Sequence, residues 1–273
     1  MLEIPFSEIP SPCFLLDEKL LRQNLSLIKS VAEKSGAKII LALKGFSMYS
    51  AFPIVKEYVP GTTASSLNEA KLGYHEFGGE VHSYCVAYLE HEFDEFTDYC
   101  SHITFNSIAQ YEKFKNRLKE SGKAVSAAIR INPEYSEVET DLYNPCIPGS
   151  RLGMTADKFG EKLPEGIEGL HFHNLCEKDS YALERTLQAI EKRFGHLLTQ
   201  IKWLNMGGGH LMTREGYDHD HLVNLIKGLY NKYPNIKEII LEPGSAFAWR
   251  TGYLVSKVLD LVESGGKEVA ILD

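Results

Sequence analysis

Cysteine is scarce in this chain and never occurs in closely spaced pairs. The five cysteines are scattered, at Cys13, Cys85, Cys100, Cys146 and Cys176. A disulfide-stapled secreted domain or a cysteine-ligated zinc site would require paired spacings such as CxxC. The scatter favours reduced thiols and predicts a cytoplasmic protein.

An excess of positive charge is also missing. Lysine and arginine number 29 against 37 aspartates and glutamates, which gives a net charge of -8. A nucleic-acid partner is therefore not expected, because such proteins present a basic face. No apolar run approaches the ~18–20 residues of a membrane span. The start MLEIPFSEIPSP lacks the basic and apolar regions of a signal peptide, so no membrane partner is expected either.

Short apolar runs alternate with amphipathic helical patterns along most of the chain. Of the 273 residues, 44% are hydrophobic, which is enough for one large domain. The alternation predicts an α/β fold, a (β/α)8 TIM-like barrel. A doubly wound open sheet is the alternative, and the number of units favours the barrel. The predicted strands span residues 38–46, 62–67, 80–89, 102–107, 124–133, 166–175, 201–210 and 237–247.

The two ends of the chain do not fit the barrel pattern. SPCFLLD precedes an amphipathic helix, and YLVSKVLDLVE and KEVAILD follow Gly252 without a helix between them. These runs predict an incomplete second β domain built from both chain ends. The predicted division has three parts. Residues 1–30 form an N-terminal strand and helix that partly belong to the β domain, and residues 31–250 form the barrel. Residues 251–273 start a C-terminal β domain whose remainder is absent from the chain.

Polar residues stand where the predicted strands end, and those ends carry the chemistry of such barrels. The run IILALKGF leads to Lys44, which either marks where the strand meets water or serves as a Schiff-base lysine. Arg130 ends the fifth strand. His173 ends the sixth as a structural histidine or as a functional one, and His171 lies on the same side of that strand by period two.

The last two strands end on glycines and on a carboxylate. Gly207, Gly208 and Gly209 follow the seventh strand, where barrels often hold a phosphate against backbone N–H groups; a flexible turn is the alternative. Glu242 could form a salt bridge within the barrel or bind a protonated ring nitrogen. A lysine, a glycine cradle, a ring-facing histidine and a carboxylate are together the parts that a pyridoxal 5'-phosphate site requires.

The ordered motifs resemble a known family. IILALKGF, RINPEY, GLHFHNLCE, LNMGGGH and LEPGSAF are similar, in order, to motifs of fold-type III pyridoxal phosphate decarboxylases, the ornithine and diaminopimelate decarboxylase-like enzymes with alanine racemase-like barrels. TTASSLNEAKLG, YNPCIPGSRLGM and VAILD point most closely to the carboxynorspermidine (carboxyspermidine) decarboxylases. The resemblance covers nearly the whole chain and implies a lyase that removes a carboxylate in spermidine biosynthesis.

The resemblance implies a role for each residue at the strand ends. Lys44 would hold the cofactor as a Schiff base, His173 would stack on its ring, and Glu242 would meet the pyridine nitrogen. Arg130 would support the ring or its partner. The glycines around the phosphate would be Gly207, Gly208, Gly209 and Gly244.

The resemblance also implies a substrate and a partner. The substrate would be a carboxylated polyamine, carboxynorspermidine or carboxyspermidine, whose cationic amines acidic side chains can hold. Relatives continue well beyond this length and form a homodimer in which a later cysteine reaches the partner's site. Relatives often carry aspartate where this chain has Asn205. The substrate-lining residues would be Cys176, Glu177, Glu242 and Asp273.

Three alternatives remain open. A decarboxylase of the same fold could act on diaminopimelate or ornithine instead, and for diaminopimelate the scarcity of site-lining arginines argues against it. A non-catalytic pyridoxal phosphate-binding protein would hold the cofactor without turnover. A metal hydrolase would use His171 and His173, but no carboxylate cluster with zinc spacing supports it.

Overall fold

The computed structural model describes Pro5 and residues 8–273. Residues 1–4, 6 and 7 of the predicted N-terminal segment lie outside the described residues. Two compact units are present. One comprises the described residues up to Gln23 together with Arg250–Asp273, and the other comprises Asn24–Trp249.

The larger unit contains a parallel sheet that closes into a barrel. Two short strands, β2 (Lys38–Ile39) and β3 (Leu41–Ala42), flank Ile40 in one extended run. β2 pairs with β10 (Glu238–Leu241) and β3 pairs with β4 (Gly61–Ala64), so the sheet has no free edge there. The predicted (β/α)8 architecture is thereby confirmed. Its strands are β2 (Lys38–Ile39), β3 (Leu41–Ala42), β4 (Gly61–Ala64), β5 (Glu80–Tyr84), β6 (His102–Phe105), β7 (Ser126–Arg130), β8 (Ile167–His171), β9 (Trp203–Asn205) and β10 (Glu238–Leu241).

Helices connect these strands, and several begin at a side-chain cap. Ser66, Ser107, Asp179 and Asp218 each accept a hydrogen bond from a backbone N–H in the first helical turn. None of the helices among the described residues is long and apolar enough to cross a bilayer. The helices are α1 (Glu18–Ser35), α2 (Phe52–Val55), α3 (Leu67–Leu72), α4 (Phe93–Tyr99), α5 (Ile108–Glu120), α6 (Ser180–Leu198), α7 (His219–Lys232) and α8 (Ser245–Ala248).

The smaller unit is built from antiparallel strands. β1 (Cys13–Leu16) pairs with β11 (Gly252–Val255), so the two ends of the chain form one small sheet. β12 (Val258–Ser264) and β13 (Lys267–Leu272) form a hairpin joined through Gly265 and Gly266. Both glycines have positive φ, which suits a tight hairpin turn.

A buried aromatic ring and a cluster of charged groups fill the amino-terminal end of the barrel. Trp203 packs so closely over Gly169 that a Cβ on that glycine would lie 2.3 Å from the indole. Beside it, Lys38 Nζ lies 2.6 Å from both Glu80 Oε2 and Glu238 Oε1. The ring of His102 stacks on that of His82 at 4.0 Å. Lys38, Glu80 and Glu238 thus neutralise one another at the amino-terminal end of the barrel, opposite the carboxyl ends of the strands.

Acid is expected to destabilise the barrel through this cluster. Burial, with smaller contributions from His82 and Lys38, lowers the pKa of His102 from 6.5 to about 3. Between these pH values His102 is protonated in the unfolded chain but neutral in the folded chain. The free energy of unfolding therefore falls as the pH drops from 6.5 toward 3. Hydrogen bonds from His82 and Lys38 lower the pKa of Glu80 from 4.5 to about 2, which adds a loss in the same direction at lower pH.

Denaturant unfolding at a series of pH values measures this effect. The variant His102→Gln should flatten the pH dependence, whereas His91→Gln, at a histidine that is 79% exposed, should leave it unchanged. An identical slope in His102→Gln and the wild type would contradict the assignment to His102.

Candidate active site

A cavity of about 860 Å³ opens at the carboxyl ends of the barrel strands. Its wall includes Lys44, Arg130, His173 and Glu242, which come from four different strand ends. The tertiary fold thus brings together residues that lie up to 198 positions apart in sequence. The other predicted site residues that line it are Cys176, Glu177, Gly208, Gly209 and Gly244.

Lys44 lies in the turn just beyond β3 rather than within a strand. The turn is closed by hydrogen bonds from the N–H groups of Gly45 and Phe46 to the carbonyl of Ala42. The Lys44 side chain points into the open cavity, where surrounding protein lowers the pKa of its ammonium. Glu242 opposes this shift and Arg130 adds to it. A lowered pKa increases the fraction of neutral amine, the form that acts as a nucleophile.

Glu242 is a nearly buried carboxylate, 8% exposed, at the bottom of the cavity. Its Oε1 accepts a hydrogen bond of 2.7 Å from the Asn205 amide, and Asn205 Oδ1 in turn accepts from Gly207 N–H at 2.8 Å. Its Oε2 lies 3.7 Å from His171 Nε2. The Asn205 amide therefore holds Oε1 of the carboxylate, whereas Oε2 is too far from His171 for a hydrogen bond.

His173 is held by one hydrogen bond to its ring and another to its backbone carbonyl. Its Nδ1 accepts a hydrogen bond of 2.8 Å from Gly208 N–H, and its carbonyl accepts one of 2.7 Å from the Arg130 guanidinium. Arg130 also lies over the ring of Tyr84, 4.6 Å from its centre. Because Nδ1 accepts, a neutral His173 carries its proton on Nε2. Burial, with the positive charges of Lys44 and Arg130, places the pKa of His173 well below 6.5 and keeps it neutral.

The glycines at the strand ends allow the backbone to pack closely. A Cβ on Gly209, whose φ is +82°, would lie 2.1 Å from the carbonyl oxygen of Leu175, and a Cβ on Gly45 would lie 2.7 Å from Gly244 Cα. The N–H of Gly209 donates to none of the described residues, whereas those of Gly207 and Gly208 are already used. Gly207 is not among the residues that line the cavity.

The polar cluster that has metal-ligand spacing lies elsewhere. Among the described residues, Glu80, His82 and His102 bring their ligand atoms within 4.8 Å of one another, at the opposite end of the barrel. That group contains neither His171 nor His173. The geometry therefore adds no support to a metal hydrolase built on those two histidines.

The loop from 134 to 150 and the segment after it form one wall of the cavity. Asp141 and Tyr143 line it from a short 3₁₀ helix, and Arg151 follows. Arg151 corrects one argument from the sequence: with Arg130 it gives the cavity two arginines, so scarcity of arginine does not exclude a substrate with a second carboxylate. Glu177, which has a positive φ of 51°, lines the cavity beside Cys176.

Comparison with known proteins gives a consistent answer. The chain is 48% identical over 274 residues to the carboxyaminopropylagmatine decarboxylase of Synechocystis sp., covering 100% of this chain and 70% of that protein. It is 44% identical over 268 residues to the carboxynorspermidine/carboxyspermidine decarboxylase of Campylobacter jejuni, covering 98% and 68%. A scan against protein-family models found no match.

Solved structures agree. The carboxynorspermidine decarboxylase of Campylobacter jejuni, complexed with norspermidine, matches with a TM-score of 0.85 and 42% identity, covering 97% of this chain and 67% of that one. The chain belongs to the carboxynorspermidine/carboxyspermidine decarboxylase family. It is therefore a decarboxylase, a carboxy-lyase. The diaminopimelate decarboxylase of Helicobacter pylori, with a TM-score of 0.78 but 18% identity, shares the fold alone.

Family membership does not assign the individual residues of this decarboxylase. Asp273 belongs to the smaller unit, where its carboxylate accepts hydrogen bonds from Ser11 Oγ, Ser256 Oγ and Lys257 N–H. These contacts lower the pKa of its carboxyl, led by the bond from Ser11. Its predicted contact with substrate stays a prediction.

Sequence reasoning missed the structural importance of three residues in and beside this cavity. Tyr84, beneath Arg130, and Arg151, in the cavity wall, gave no signal of their own. Asn205 was noted only as a departure from an aspartate, yet it holds Glu242. Its position at the end of β9 was the one available signal, because strand ends in a parallel barrel meet on one rim.

Proposed function

We propose that this chain is a pyridoxal 5'-phosphate-dependent decarboxylase of carboxynorspermidine and carboxyspermidine, yielding norspermidine and spermidine. The observation that carries the proposal is the convergence of Lys44 and Glu242 at the floor of a single cavity that also contains His173 and the glycine loop. Identities of 44% and 48% to enzymes that act on carboxylated polyamines support the substrate class.

The residues present fit the proposed cofactor. Lys44 offers an amine of lowered pKa for covalent attachment. Glu242 offers a carboxylate for a ring nitrogen, with its Oε2 oriented toward His171 rather than toward a cation. Glycine at 208 and 209 lets the loop pack against the backbone of Glu242 and Leu175, where a Cβ would clash, and Gly209 contributes an N–H donor at the cavity wall. The amine, the carboxylate and the N–H donor are together the groups that a phosphorylated pyridine aldehyde requires.

Each side chain of the site would have its own part in the decarboxylation. When bound, pyridoxal phosphate supplies an electron sink for the carbanion that remains after carbon dioxide leaves. Glu242 would favour a positive charge on the ring nitrogen, and Asn205 fixes the direction of that carboxylate. His173 lines the cavity with its ring fixed by Gly208 N–H and its backbone carbonyl by Arg130. Its low pKa prevents it from adding a competing cation.

The cavity suits a long cationic substrate. Asp141 and Glu177 are exposed carboxylates on its wall, and both are separate from the residues that would hold the cofactor. Carboxylates attract ammonium groups, and the net charge of -8 favours the approach of a polyamine. Tyr143 adds an aromatic face on which an ammonium group can rest.

A substrate panel tests the proposal. The purified chain, reconstituted with pyridoxal phosphate, is given carboxynorspermidine, carboxyspermidine, diaminopimelate and ornithine, with release of carbon dioxide and product mass as readouts. We expect kcat/KM for the two polyamines to exceed that for the two amino acids about a hundredfold or more, because each added ion pair and buried methylene favours the longer substrate. Equal or better turnover of diaminopimelate would overturn the substrate assignment, and bound cofactor without turnover would show a carrier.

Carboxyaminopropylagmatine is the second candidate substrate, because the relative from Synechocystis is named for it. Agmatine ends in a guanidinium, which binds a carboxylate in a planar, bidentate manner that an ammonium cannot reproduce. Including it in the panel separates the two. We further propose the homodimer that the resemblance implies, and light scattering of the purified chain tests that state.

A further inference from the structure

His171 is a buried polar side chain that the proposed chemistry does not use. It is the last residue of β8 and is 2% exposed, and neither ring nitrogen has a hydrogen-bond partner. A buried nitrogen without a partner costs stability, so native proteins rarely leave one without a purpose. The ring does not line the 860 Å³ cavity, but it lines a small adjoining pocket whose wall also includes Lys44 and Glu242 of that cavity.

The surroundings of His171 identify its available partner. Nε2 lies 3.7 Å from Glu242 Oε2, which is beyond hydrogen-bond range by about 0.5–1 Å. The ring of His171 also contacts that of Tyr84, with ring centres 5.3 Å apart. The other oxygen of Glu242 is already occupied by the Asn205 amide. A small movement of the Glu242 carboxylate toward His171 would therefore form one hydrogen bond, from Nε2–H to Oε2, that gives both groups a partner.

We propose that His171 is a positioning residue for Glu242, donating Nε2–H to Oε2 and holding the carboxylate in a fixed direction toward the ring nitrogen of the cofactor. This inference rests on the proposed function. Burial, Arg130 and Lys44 lower the pKa of His171 well below 6.5, so the imidazole is neutral and has one N–H to donate.

The need for such a donor follows from the charges around Glu242. Lys44 is the nearby cation that attracts Glu242 in the chain alone, and Arg130 is engaged with the carbonyl of His173. Once Lys44 is committed to the cofactor, its ammonium no longer balances Glu242. Two donors, from Asn205 and His171, would hold both oxygens of Glu242, so the carboxylate would stay directed at the ring nitrogen and favour its protonated form.

The test compares His171→Phe, which removes the donor but keeps a planar ring, with His171→Gln, which restores an N–H donor. The readout is the ¹⁵N chemical shift of the pyridine nitrogen in ¹⁵N-labelled pyridoxal phosphate bound to the full chain, alongside kcat and KM. In His171→Phe the shift should move toward that of unprotonated pyridine, and kcat should fall about tenfold with KM changed less than about twofold. His171→Gln should recover both signals. If His171→Phe does not fold, His171→Leu replaces it.

A matched control separates positioning from stability. His82 is another buried histidine on a barrel strand, with an unpartnered Nδ1, but it lies at the opposite end. His82→Phe should leave the ¹⁵N shift unchanged whatever stability it loses. A wild-type shift and wild-type kcat in His171→Phe, or equal losses in His171→Gln and His171→Phe, would overturn the assignment.

The ¹⁵N comparison also separates the two proposals. If the wild-type chain binds the cofactor but decarboxylates nothing, the proposed function fails, while the shifts still decide the role of His171. If the wild-type chain binds no pyridoxal phosphate, both proposals are overturned.

Discussion

Replacing Lys44 with alanine is expected to lower turnover about a thousandfold or more, because it removes the amine that would carry the cofactor and leave it for the substrate. Lys44 faces the cavity from the turn after β3, and the surrounding protein lowers the pKa of its ammonium. The visible absorption band of the chain with pyridoxal phosphate should be present in the wild type and absent in Lys44→Ala. Borohydride treatment followed by peptide mass analysis should place the cofactor on Lys44 in the wild type.

Lys44→Arg is the matched variant for the charge of the lysine. Arginine keeps a cation beside Glu242 but remains protonated and cannot form the covalent link. Loss of the band and of turnover in both variants would assign the role to the amine itself. Wild-type turnover in Lys44→Arg would show that only the charge is needed and would contradict the proposal.

Replacing Gly209 with alanine is expected to destabilise the chain by at least about 3 kcal/mol and to abolish cofactor binding. Gly209 has a φ of +82°, and an added Cβ would lie 2.1 Å from the carbonyl oxygen of Leu175. The obstacle is backbone rather than a flexible side chain, so it cannot move aside without shifting the segment that leads to Cys176. Such a shift also displaces the N–H that Gly209 would offer to a phosphate.

Gly216 supplies the control for backbone conformation alone. Its φ is +79°, nearly that of Gly209, but a Cβ there meets nothing within 4 Å. Gly216→Ala should therefore cost only the strain of a left-handed alanine, about 1–2 kcal/mol. Denaturant unfolding and titration with pyridoxal phosphate measure both variants. Equal losses in the two would contradict the importance of the close approach at Gly209.

The positions of the chemically important residues followed from strand order. Lys44, Arg130, His173 and Glu242 each stand at or just beyond the end of an apolar run, and parallel strands of a barrel bring those ends to one rim. This inference needs only the period of the pattern and the direction of the strands. It could not reveal that the N–H groups of Gly207 and Gly208 are already bonded within the protein, to the side chain of Asn205 two residues earlier and to that of His173 on the neighbouring segment.

Contacts between distant residues were beyond the reach of sequence patterns. The backbone approach of Gly45 to Gly244 joins positions 199 residues apart, and Asn205 reaches Glu242 across two adjacent strands. Arg151 enters the cavity only because the loop from 134 to 150 folds back beside β7, where Ile131 pairs with Met154. Each of these contacts depends on the path of the chain in space, which local periodicity does not encode.

The sequence by itself determined the barrel and the order of the residues on its rim, because alternating apolar runs and helical patterns are local properties of the chain. Only the tertiary structure decided the hydrogen-bond partners of those residues and the direction in which their pKa values shift. Spacing alone left His171 and His173 equivalent, but folding leaves one without a partner beside Glu242 and ties the other to Gly208. Burial lowers the pKa of Lys44 and of both histidines, and burial exists only once the walls of the cavity have closed around them.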